Sequence, residues 1–136
     1  MDIFIQPIDY DSIDELASLY VNIYKNANPK EKWNTISAKK YIKYFYELCP
    51  DLFFTVRFNG KIIAGIWGPI KPWWNGNKAY DLEIFIDDEY QGKGLSRLIL
   101  LHYFDIAMQK YNVNSVEAIT FNDREFALNF YSKISL

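Results

Sequence analysis

A chain of 136 residues has the length of one domain. Half of it is hydrophobic, with 11 Tyr and 10 Phe, so a sizeable core is within reach, and a charged fraction of 24% is ordinary for a water-exposed surface. A net charge of −2 excludes a global pull toward nucleic acid or acidic membrane, and the lone Cys49 excludes an intrachain disulfide. No apolar run reaches the ~18 residues of a membrane span, no Cys/His spacing suggests a metal site, and Met1-Asp2-Ile3-Phe4 lacks the basic start of a secretory leader. The expectation is a cytoplasmic single domain over 1–136 with no metal.

In chain order, residues 3–8 read as a short strand closed by Pro7 and the Asp9-Tyr10-Asp11 turn. Ser12 and Glu15 have the spacing of a capping box. Ile13, Leu16, Ala17, Tyr20, Ile23 and Tyr24 then recur at helical spacing, until Asn26-Ala27-Asn28-Pro29 stops the helix. A second helix over about 37–49 carries Ala38, Tyr41, Ile42, Phe45 and Leu48 on one face. Strands over 52–58 and 61–70 flank Asn59-Gly60, a two-residue hairpin signal because both residues tolerate positive φ. A turn over 72–77 leads into a strand over 78–86. The helix over about 94–111 has apolar residues nearly all round and is expected to be heavily buried. A strand over 113–121 and a helix over 125–134 complete the order β-α-α-β-β-β-α-β-α. The final strand–helix–strand unit requires a right-handed crossover, which makes its two strands parallel.

The informative segment runs from Asp81 to Ser96. It is a strand, a turn, a loop with two glycines, and a helix start near Gly94. Backbone N–H groups at such a junction lack helical partners and face outward at the positive end of the helix dipole. Gly92 and Gly94 let the backbone approach a phosphate, and Lys93 can add a point charge. A ligand-free turn accounts for the glycines equally well. Rival phosphate loops fit less well: the spacing is too short for a Walker A loop, and the third glycine of a dinucleotide fingerprint is missing.

Gln91-Gly92-Lys93-Gly94-Leu95-Ser96 resembles the Gln/Arg-x-x-Gly-x-Gly/Ala signature of the GNAT acetyltransferases, with Ser96 departing from it at the last position. Residues 54–65 are similar to that family's hairpin, and 127–134 to its closing helix, so the resemblance spans essentially the whole chain. It implies a GNAT α/β fold, a mixed central sheet flanked by helices, binding acetyl-CoA as co-substrate and transferring its acetyl group to an amine acceptor. The loop from Gln91 to Ser96 would hold the pyrophosphate, and the backbone around Phe85 and Ile86 the pantetheine and thioester carbonyl. Asn122 is a further cofactor contact, although it sits two residues off the usual spacing.

The resemblance also makes Tyr131 the general acid for the departing thiolate, against its reading as one more packing tyrosine. Asp81, Glu83 and Asp87 alternate with Leu82, Ile84 and Ile86, so their shared face borders water or a cleft. Glu83 is the preferred base, acting directly or through water, and Asp81 the second. Trp33, Trp67, Trp73 and Trp74 are candidates for an acceptor pocket or for turn packing. His102 reads as a core histidine, and the lysines around the second helix as a solvated face.

Two features stay open. Where the family continues with two further strands, this sequence reads Ser135-Leu136. A non-catalytic acyl-CoA-binding domain is therefore the alternative, with a nucleic-acid module using the lysines a weaker third. The same feature leaves the outer side of the 113–121 strand unpaired, and an open apolar edge predicts a homodimer.

Overall fold

The computed structural model describes residues 2–117, and as backbone 119–120. Its elements are β1 (Ile3–Pro7), α1 (Ile13–Ala27), α2 (Thr35–Leu48), β2 (Phe53–Phe58), β3 (Lys61–Trp67), β4 (Ile70–Trp73), β5 (Gly76–Ala79), β6 (Leu82–Ile86), α3 (Leu95–Tyr111), β7 (Val113–Val116) and β8 (Ile119–Thr120). The strands form a sheet in the order β1-β2-β3-β6-β8 and a smaller one in the order β4-β5-β7. Both pairs that span α3, β5 with β7 and β6 with β8, are parallel, as the crossover argument requires. Asn59 and Gly60 take φ of 52° and 76°, which fits the tight β2–β3 turn.

Two strands expected to be continuous are each broken. Gly68-Pro69 separates β3 from β4, and Tyr80-Asp81 separates β5 from β6. Trp67 lies opposite Glu83 and Ile70 opposite Ala79, so the two residues 68–69 face the three residues 80–82. That extra residue is a bulge, and Asp81 holds it with φ of 47°. The bulge reverses the alternation of every side chain after it. Without it Leu82, not Glu83, would stand opposite Trp67. The expected set of carboxylates on one strand face is therefore corrected: Asp81 lies exposed before the strand, Asp87 lies after it, and Glu83 alone stands within it.

One face of the large sheet packs α1 and α2 through an aromatic layer. Trp67, fully buried, stacks on Phe45 at 4.7 Å and 15° and meets Phe53, Phe85, Tyr20 and Tyr41. The other face packs α3, where Tyr103 donates a 2.6 Å hydrogen bond to the Gly68 carbonyl and His102 meets Phe54 edge-on. Helix α3 is less buried than its composition suggests. Leu98, Leu101 and Met108 are 48–50% exposed, because their i, i+3 and i+10 spacing puts them on the face opposite Ile99, Tyr103 and Ala107.

The Ser12–Glu15 capping box is absent. Ser12 instead donates to Asp9 at 3.0 Å, while Glu15 accepts the Ile62 N–H at 2.8 Å and pairs with Arg57 at 3.2 Å, which ties α1 to the β2–β3 hairpin. The reciprocal box caps α2 instead: Asn34 Oδ1 accepts from the Ser37 N–H at 2.9 Å, and the Asn34 N–H donates to Ser37 Oγ at 3.0 Å.

Beneath this layer Gly65 pairs with Phe85, and a Cβ on Gly65 would fall 2.5 Å from the Phe85 ring. Gly65→Ala is expected to lower stability by about 1–3 kcal/mol through overpacking, read as a lower urea midpoint with an unchanged slope.

Candidate functional site

At the end of β6 the backbone enters a 3₁₀ turn, Asp88–Tyr90, capped by Asp87, whose Oδ1 accepts the Glu89 N–H at 3.1 Å. Gln91 folds back, its Nε2 donating to the Ile86 carbonyl and to Asp88 Oδ1, both at 3.0 Å. Its side chain thus braces the loop against β6. Gly92 and Gly94 adopt φ of 73° and 77°, and a Cβ built on either meets nothing within 4 Å, so the space above both is open. Helix bonding begins with Leu98 N–H to the Gly94 carbonyl, at 3.4 Å. The N–H groups of Leu95, Ser96 and Arg97 therefore have no helical acceptor. Leu95 is buried, its side chain part of the core. Lys93 lies exposed, its Nζ 5.8 Å above the Tyr90 ring. Outward N–H groups, the positive end of α3 and open space over two glycines fit a pyrophosphate.

Phe85 and Ile86 are buried on β6, hydrogen-bonded to β3 on one side. On the other side β8 pairs Leu82 and Glu83. Among the described residues, no strand pairs with Ile84 or Phe85 there.

Glu83 is 7% exposed and accepts three phenol hydrogen bonds: from Tyr20 to Oε2 at 2.7 Å, Tyr24 to Oε2 at 3.0 Å, and Tyr41 to Oε1 at 2.9 Å. The rings of Tyr20 and Tyr41 also meet Trp33, at 5.3 and 5.1 Å, and Trp33 Nε1 donates to Glu31 at 3.1 Å. Burial pushes the Glu83 pKa above the usual carboxylate range, and the three phenols pull it part of the way back. Burial, then the Glu83 charge and the hydrogen bonds to it, raise all three phenols well above their ordinary value, so they remain neutral donors.

A carboxyl raised in the folded state stabilises the fold fully below its unfolded pKa, and that contribution is lost as pH rises through the folded value. Relative to Glu83→Gln, the wild type is expected to lose melting temperature as pH goes from about 4 to about 7. Thermal melts of both proteins across that range check it.

The structure thus brings Glu83, Trp33 and Trp67 together and leaves Asp81 outside the buried cluster, although Asp81 still raises the Tyr41 pKa. Trp73 and Trp74 sit on the β4–β5 hairpin, with Trp73 under Lys78 Nζ at 3.5 Å and Trp74 85% exposed. Tyr131, Asn122 and the 125–134 helix lie outside the described residues. Sequence reasoning missed Tyr20, Tyr24 and Tyr41 as site residues. Their helical spacing marks a buried face, and only polar tips on that face hint at a buried charge.

Cys49 is no nucleophile: burial pushes its thiol up to about 12. Among the described residues there is no group of three or more His, Cys, Asp or Glu able to hold a metal ion, and no helix long and apolar enough to cross a membrane.

The profile described as "Acetyltransferase (GNAT) family" matches residues 13–135, and the chain belongs to that family. Acetyl transfer is the activity that membership supports. A Pyrococcus horikoshii OT3 protein superposes with a TM-score of 0.71 at 24% identity, over 97% of this chain and 87% of its own. A protein described as a possible acetyltransferase from Clostridium difficile 630 gives 0.73 at 19%, over 98% and 90%. An aminoglycoside N-acetyltransferase solved in complex with CoA gives 0.69 at 11%, over 99% and 88%. A search of curated proteins returns no match.

Proposed function

We propose that residues 1–136 form one acetyl-CoA-dependent N-acetyltransferase domain whose acceptor is a primary amine presented to Glu83. The observation that carries the reading is the placement of both halves of such a site on one strand. The N–H cradle of residues 92–97 follows β6, and the buried Glu83 carboxylate stands within it. Three residues of strand, about 10 Å, separate Glu83 from Ile86. A thioester reaching inward from the loop would end beside the carboxylate.

In this reading the loop backbone from Gln91 to Ser96 holds the pyrophosphate of acetyl-CoA, with Lys93 adding charge. The backbone of Phe85 and Ile86 orients the pantetheine arm. Glu83 takes a proton from the acceptor ammonium, directly or through water, and so frees the nitrogen lone pair for attack on the thioester carbonyl. The C–N bond forms as the C–S bond breaks. Tyr131, assigned by family resemblance, donates the proton that the departing thiolate requires, and Asn122 is a further cofactor contact on the same basis. Asp81 is the secondary base candidate. Trp33 and the phenol rings present negative faces to a cation, and Glu31 and Asp81 add negative charge nearby. Amines bearing a carboxylate next to the nitrogen should be poor acceptors. Calorimetric titration with acetyl-CoA tests the cofactor half: saturable heat is expected, and its absence at millimolar ligand contradicts the reading.

A homodimer is proposed from the sheet order. β8 and β7 each lie at one edge of their sheet, where no further strand pairs among the described residues, and an open edge invites another chain. Light scattering is expected to give twice the mass of one chain at high micromolar concentration. A monomer there overturns the assembly without touching the chemistry.

A further inference from the structure

The amine-acceptor reading leaves one feature of the cluster unexplained, namely why a single carboxylate receives three phenols. A carboxylate offers about four lone-pair positions. Tyr20 and Tyr24 fill both on Oε2, and Tyr41 takes one on Oε1. One position, on Oε1, is left. The three donors come from two helices, two from α1 and one from α2, so the carboxylate is fixed from two directions. Tyr24, Tyr41 and Trp33 are only half-buried, which makes them the solvent side of the cluster. The charged groups whose fields reach it are Glu31, from the α1–α2 connection, which acts on Glu83, Tyr24 and Tyr41, and Asp81, which acts on Tyr41.

We propose that Tyr20, Tyr24 and Tyr41 are positioning residues that fix the orientation of the Glu83 carboxylate and leave it one open acceptor position, on Oε1, for a single N–H of an incoming ammonium. The proposal rests on the amine-acceptor reading and deepens it. The tyrosine hydroxyls are engaged by Glu83 and act on the acceptor through it. The geometry also predicts a class of acceptor. One open position on a buried carboxylate, rimmed by ring faces, suits an unbranched primary ammonium and leaves no second acceptor for a guanidinium fork.

The test uses the full chain, labelled with ¹³C at glutamate carboxyls and titrated by NMR, which requires neither acetyl-CoA nor activity. Glu83→Gln assigns the resonance. Tyr24→Phe and Tyr41→Phe, at half-buried positions, each remove one donor to the carboxylate. Each is expected to raise the Glu83 midpoint by roughly one pH unit, the scale of a hydrogen bond to a charged group. A purely structural tyrosine would lower thermal stability and leave the midpoint in place. n-Butylammonium chloride, used as the probe, is expected to lower the wild-type midpoint, because an adjacent cation favours the carboxylate. Guanidinium chloride at the same low concentration should leave it unmoved. Unchanged midpoints in both folded variants overturn the positioning role, and a wild-type midpoint insensitive to butylammonium overturns the open position. Should the midpoints move as stated while Glu83→Gln keeps full turnover, the amine-acceptor chemistry is wrong and the phenol lock stands.

Discussion

Glu83→Gln is expected to lower turnover by roughly 10²- to 10⁴-fold, the range for removing a general base, with little change in acetyl-CoA affinity. Gln fills the same volume among Tyr20, Tyr24 and Tyr41, so the aromatic layer against Trp67 stays packed. The capacity to accept a proton is removed, and the single amide oxygen can accept from at most two of the three phenols, so melts of the variant accompany the rates. An aliphatic amine with a pKa near 10 is almost wholly protonated at neutral pH, and an ammonium has no lone pair with which to attack a thioester. The deficit should therefore be largest near neutral pH. It shrinks at high pH, where the free amine needs no base, and again at acid pH, where Glu83 in the wild type is itself protonated. Initial rates of both proteins across pH check this shape. A pH-independent deficit would count against a proton-accepting role.

Gly92→Val and Gly94→Val are expected to abolish most acetyl-CoA binding. Both glycines hold positive φ, 73° and 77°, where a β-branched residue is strained by about 1–2 kcal/mol or more. Because no atom lies within 4 Å of either would-be Cβ, a new side chain meets no protein and projects into the open space assigned to phosphate. Gly94 is also the N-cap of α3, so relaxing its backbone would re-aim the N–H groups of Leu95 and Ser96. Ser96→Ala is the informative control. If the backbone binds the ligand, this variant, which removes the hydroxyl and restores the signature's last position, keeps wild-type affinity. Calorimetry on all three, with melts to confirm folding, separates the cases, and wild-type affinity in both valine variants would remove the loop from the site.

The loop was legible because its chemistry is local: two glycines, a strand before and a helix after place unpartnered N–H groups whatever the rest of the chain does. The Asn59-Gly60 hairpin was legible for the same reason. Glu83 was legible only as an oddity, a carboxylate in a strand expected to be buried. Its environment depends on the bulge at Asp81, a one-residue offset between Gly68-Pro69 and residues 80–82. Nothing in the alternation of 78–86 reveals that offset, which decides whether Glu83 or Leu82 meets the tyrosines. The Ser12–Glu15 pair illustrates the converse. Its spacing fits a cap, but Arg57 and the Ile62 N–H, contributed by a distant hairpin, compete for Glu15 and hold it. Local rules failed where a tertiary partner offered the same atom a better bond.

Acceptor-dependent release of the CoA thiol is the direct readout of the proposed acetyl transfer to an amine at Glu83. Wild-type protein with acetyl-CoA and a panel of primary amines should release thiol faster than with acetyl-CoA alone, with unbranched cationic amines ahead of amino acids and guanidines. Glu83→Gln should fall to the amine-free rate near neutral pH. Thiol release that no amine accelerates, in protein shown to bind acetyl-CoA, would contradict the claim.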